Sequence, residues 1–128
     1  MRTLIAAALV VVAAGPALAA LKDEADIRER LLVVGEAEEL EKRCGAVDGR
    51  RMAGLQFLIG TARLAQSKGY SRAAIEAYVE DDAEKERLRA VARARLAAKG
   101  AVGGDEASYC RIARAEIADG SAIGRLLR

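Results

Sequence analysis

After Pro16 the chain contains no proline, and that absence restricts its fold more than any other feature of its 128 residues. Proline breaks a helix interior because it lacks the N–H and clashes with the preceding turn. Beyond the amino-terminal segment the chain also lacks β-branched runs, and alanine, leucine, arginine and glutamate, all strong helix formers, dominate. We therefore expect an all-α protein, a small bundle of four to five helices. Aromatic residues make up only 3% of the chain, and alanine contributes little apolar area per residue, so the core should be thin.

The opening "MRTLIAAALVVVAAGPALAALKDEAD" has a different character. One arginine precedes an apolar run from Leu4 to Val12, a helix-breaking Gly15-Pro16 follows, and then Ala17-Leu18-Ala19. This is the order of a secretory signal peptide, and the run is shorter than the roughly 20 residues a bilayer demands. Residues 1–19 are expected to be cleaved, leaving residues 20–128 as a single helical domain with no transmembrane segment. The competing reading is an uncleaved amino-terminal anchor. Export to a periplasm would place the chain in an oxidising compartment.

Two cysteines, Cys44 and Cys110, and no histidine then decide much of the chemistry. Zinc or iron–sulfur ligation lacks ligands, there is no C-x-x-C redox motif, and Ser-His-Asp or Cys-His catalysis is excluded. No metal or other cofactor is expected. In an oxidising compartment the pair reads as a structural disulfide tying the first helix to the last; free buried thiols or an intermolecular bridge are the alternatives.

Periodicity places the helices. In "DEADIRERLLVVGEAEELEKRCG", Ile27, Leu31, Val34, Ala37, Leu40 and Cys44 share one half of the helical wheel, and Gly45 supplies a stop. In "GRRMAGLQFLIGTARLAQSKG", Met52, Leu55, Leu58, Ile59, Ala62 and Ala65 form one face and Ala53, Phe57 and Leu64 another, so this helix should be the centre of the bundle. Ser71 can cap a short helix containing Ile75, Tyr78 and Val79. Asp81 with Glu84 resembles a capping box for a helix ending at Gly100. Asp105 can cap a last helix with Tyr109, Cys110, Ala113 and Ile117 on one face. Gly120 ends it, and Ile123, Leu126 and Leu127 form a short tail.

The charged residues suggest no catalysis. Glu36, Glu38, Glu39 and Glu41 are expected to be a solvated face rather than a glycosidase-like pair. Gly100, Gly103 and Gly104 lack the strand and G-K-[ST] of a phosphate loop. Lys85, Arg87, Arg89, Arg93, Arg95 and Lys99 spread around their helix, are interrupted by acids and lack stacking aromatics. They read as solvated charge with local ion pairs, and no nucleic acid partner is expected.

The signal segment, Cys44, "LQFLIG", "GYSRAAIEAYVEDDAEKERLRA" and above all "ASYCRIARAEIADGSAIGRLLR" resemble a family of small exported alphaproteobacterial proteins, domain of unknown function 5333. The resemblance covers most of the mature chain and is most specific in "SYC" at 108–110 and in the ending "RAEIADGSAIGRLLR". It implies a helical, exported, two-cysteine domain without an assigned activity. Relatives of this kind are encoded near genes of respiratory NADH:quinone oxidoreductase, which implies an accessory or assembly role at a respiratory or envelope complex.

The expected function is thus a noncatalytic periplasmic interaction module that presents the Phe57 and Leu64 face, or the Ile123, Leu126 and Leu127 tail, to a protein partner. The alternative is a periplasmic holdase chaperone, loosened by acid or stress through its carboxylates.

Overall fold

A computed structural model describes residues 21–128; the expected signal peptide, residues 1–19, lies outside them. Five α-helices follow one another: α1 (Ala25–Arg43), α2 (Arg51–Ser67), α3 (Arg72–Glu80), α4 (Asp82–Ala98) and α5 (Glu106–Asp119), with a 3-10 turn at Gly124–Leu126. Two of the three predicted caps form, the Ser71 hydroxyl accepting from the Ala74 N–H at 3.1 Å and the Asp81 carboxylate from the Glu84 N–H at 3.1 Å, whereas Asp105 stands at the start of α5 without a side-chain cap bond. No reciprocal capping box closes, because the Glu84 carboxylate turns instead to the Tyr78 hydroxyl (3.0 Å) and Arg87 (2.9 Å). Gly120 ends α5 with φ +60°, a left-handed conformation that glycine adopts without steric penalty.

The centre of the bundle is α1, not the helix expected there. α1 packs against α2, α4, α5 and the carboxy-terminal turn, and its buried residues Ile27, Leu32, Val33, Glu36, Ala37, Glu39 and Leu40 go most of the way round its surface. α2 lies antiparallel along one side, with Gly60 beside Arg30 and Gly49 beside Glu41. Its two apolar faces led the sequence reading to bury it on both sides; the structure covers only one.

The main core joins the carboxy-terminal half of α1 to α5 and the tail: Leu40, Cys44, Val47, Leu96, Ile112, Ala113, Ile123, Leu126 and Leu127. A smaller cluster of Leu21, Ile27, Ala65 and Tyr78 closes the other end. The tail is clamped by backbone pairing, Asp48 N–H to the Arg128 carbonyl at 2.9 Å, the reverse bond at 2.9 Å, and Arg50 N–H to the Leu126 carbonyl at 2.8 Å. No helix among the described residues is long and apolar enough to cross a membrane.

Candidate functional site

Cys44 and Cys110 form the expected intramolecular disulfide, linking the end of α1 to α5 with their Cα atoms 5.1 Å apart. Both are buried, and the Glu106 carboxylate beside them accepts the Gly45 N–H at 3.0 Å. Cys44, Cys110 and Glu106 bring three possible ligand atoms close together, but with the sulfurs bonded to each other no thiolate is available to a metal ion.

A cleft of about 390 Å³ lies between α1, α4 and the tail, lined by the charged Glu29, Glu36, Arg95 and Lys99 together with Ser121 and the apolar Val33 and Ile123. Here the expected solvated face is corrected: Glu36 is only 2% exposed and Glu39 is also buried, whereas Glu38 and Glu41 face solvent. Glu36 can be buried because the Lys99 ammonium reaches it at 3.0 Å and bridges to Glu116, also at 3.0 Å. Arg95 makes a bidentate pair with Glu29, 2.7 Å on each arm. The basic series of α4 is therefore paired, as expected, but Arg95 and Lys99 pair across the bundle rather than locally.

Electrostatically the cleft is satisfied, not poised. The Arg95 guanidinium holds Glu29 below the usual carboxylate range. Burial pushes Glu116 up, but bonds from the Ser121 hydroxyl and Lys99 outweigh it and leave the group lowered. Lys99 is drawn down by burial and raised on balance by Glu36 and Glu116.

The surface residues read from the sequence turn inward. Phe57 is half-buried with the Arg30 guanidinium 4.3 Å from its ring centroid, and Leu64 packs half-buried on the smaller cluster. Ile123, Leu126 and Leu127 are buried in the main core. What α2 exposes is the face expected to be internal: Met52 is 67%, Leu55 50%, Leu58 41% and Ile59 42% exposed, and Val79 of α3 joins them at 58%. The side of α2 that meets α1 carries Phe57, Thr61, Leu64 and Ala65, and Arg30 holds it there: its guanidinium lies over the Phe57 ring, donates to the Thr61 hydroxyl at 2.8 Å and lies beside Gly60.

Two hollows flank the α2 contact with α1 and share Val34, Glu38 and Leu58. Placed end to end they make a furrow interrupted at those shared residues, from Leu126 and Leu127 past Ala37, Val34 and Leu31 to Tyr78, Val79 and Leu88. Its lining is mostly apolar, with the buried Glu84 at the Tyr78 end satisfied by Tyr78 and Arg87, and Glu38, Glu41, Arg50, Arg51, Lys85 and Arg89 also line it.

None of the curated proteins or solved structures compared with the chain matches it. A family model does match, over residues 19–128. The match takes in all five helices, both cysteines and the buried tail, so the chain belongs to the family of unknown function DUF5333.

Proposed function

We propose that this protein is a noncatalytic, exported interaction module whose furrow receives an amphipathic helix of one partner protein, a component of an envelope or respiratory complex. The furrow carries the reading. From Leu31 to Glu41 it follows α1 for about 15 Å at the usual rise per residue, close to three helical turns. Its mostly apolar lining, with charges of both signs, suits an amphipathic helix with mixed flanking charge. Export is supported by the signal-like order of residues 1–19 and by the disulfide. The association with a respiratory complex rests on the gene proximity implied by the family resemblance. The fully paired carboxylates and lysine of the cleft between α1, α4 and the tail favour a structural role for that cleft over a catalytic one.

The test is site-specific photo-crosslinking in the native cells, with the reactive group at Val79 in the furrow or at the exposed Arg111 on α5. One dominant adduct from Val79 and none from Arg111 supports the reading. Equal labelling from both positions, or none, overturns it.

A holdase is favoured by one further observation: the carboxylates that anchor the helices are held low by basic partners, and the exposed apolar residues lie ready on α2. A dye for exposed apolar surface, followed from neutral to strongly acidic pH, should brighten before secondary structure is lost. No brightening sinks that reading.

A further inference from the structure

We propose that the outward crest of α2 docks on an anionic phospholipid surface, with Met52, Leu55 and Ile59 entering the acyl boundary and Arg63 and Arg72 meeting lipid phosphates. Of the three crest residues only Leu55 also lines the furrow, and Met52 and Ile59 stand outside it, so this inference goes beyond the partner-helix reading of the furrow.

Charge distribution carries the argument. From Gly49 to Ile75 the sequence contains Arg50, Arg51, Arg63, Lys68 and Arg72 and not one aspartate or glutamate, although the whole chain has 21 basic and 19 acidic residues. Two of the five cations are already engaged: Lys68 pairs with Glu24 and Asp26, and Arg50 donates to the Arg125 carbonyl. Arg51, Arg63 and Arg72 are exposed and make no ion pair among the described residues. On α4, by contrast, Arg87, Arg93 and Arg95 all have carboxylate partners. Exposed basic residues without an ion pair occur elsewhere too, Arg111 and Arg114 on α5 among them, but Arg51, Arg63 and Arg72 are the ones that flank an exposed apolar crest, and Glu76 is the one acid lining the hollow that holds Ile59, Arg63 and Arg72.

Shape favours lipid over a folded protein. The crest is the convex side of a helix about 25 Å long, and a fluid interface conforms to such a ridge without needing a matching groove. Long arginine side chains lie along the apolar surface while their heads reach the phosphates. Three exposed apolar side chains insert weakly alone, so binding should depend on anionic lipid and weaken with salt.

The test uses the full chain as exported by its own cells, sedimented with phosphatidylcholine vesicles with or without phosphatidylglycerol. Binding should require phosphatidylglycerol, and R63Q/R72Q should reduce it about fivefold per cation removed. M52S/I59S should reduce it further, with an unchanged melting temperature showing that the fold is intact. Because the chain has no tryptophan, I59W supplies a direct reporter: its emission should shift to the blue on anionic vesicles, whereas V102W, on the exposed loop between α4 and α5, should not respond. Absence of binding, binding that the substitutions leave unchanged, or equal shifts from both tryptophans overturns the proposal. The Val79 crosslink reads the furrow separately, so either reading can fail while the other stands.

Discussion

Gly124 sits directly against the backbone of Glu116: a Cβ placed on it would fall 1.9 Å from the Glu116 carbonyl oxygen and 2.7 Å from the Ile117 N–H nitrogen. The return of the chain from α5 into the 3-10 turn depends on that missing side chain. The Ser121 hydroxyl binds the Glu116 carboxylate and accepts the Gly124 N–H at 3.0 Å, which seats the turn.

Gly124→Ala must therefore displace the turn or the end of α5. Overpacking of this kind costs about 1–3 kcal/mol, and the melting temperature should fall by several degrees. Gly103→Ala is the control, since nothing lies within 4 Å of its Cβ position. Equal melting of the two variants would show that the tail is not seated by close approach.

Ile123, Leu126 and Leu127 are core residues, so truncation after Gly120 should abolish cooperative unfolding rather than release a binding tail. Leu127→Ala should cost about 2–5 kcal/mol, as buried leucine truncations do. Thermal unfolding followed by circular dichroism reads both, and a truncated chain that still melts cooperatively would return the tail to the surface.

The disulfide closes a sequence separation of 66 residues. The loop-entropy account gives roughly 4 kcal/mol for a closure of that length, a large share of the roughly 5–15 kcal/mol a small domain possesses. Cys110→Ser should lower the melting temperature by roughly ten degrees or more under oxidising conditions. A melting curve that does not move would mean packing alone holds α5 on α1.

Acid should loosen the junction of α3 and α4. The Arg87 guanidinium and the Tyr78 hydroxyl hold Glu84 below its ordinary value, against the opposing effect of burial. A carboxylate lowered in the folded state stabilises the protein above its unfolded value, near 4.3, and that contribution disappears as pH falls through the folded value. Glu84→Gln should be less stable than the wild type at neutral pH and should show a shallower loss of melting temperature in acid. Parallel acid limbs for the two proteins would remove Glu84 from the pH response.

Helix content, the caps at Ser71 and Asp81 and the stop at Gly120 were legible because each depends on residues within a few positions of one another. The pairing of the two cysteines was readable for a different reason: their positions on inward faces near the ends of two helices left them placed to meet. Glu36 was misread because burial of a carboxylate depends on a cation arriving from elsewhere, and Lys99 is 63 residues away in sequence.

The sequence by itself determined the helices, several of their ends and the inward disposition of the cysteines, because local propensity, capping and periodicity act over a turn or two. Only the tertiary structure decided which side of α2 faces the bundle. Both of its faces are apolar, so the hydrophobic pattern is degenerate. The choice falls to a contact distant in sequence: Arg30 of α1 engages Phe57 and Thr61, so that side of α2 settled against α1 while Met52, Leu55, Leu58 and Ile59 were left outside. The same packing drew the tail into the core, since the pocket that receives Leu126 and Leu127 exists only once α1, α2 and α5 have met.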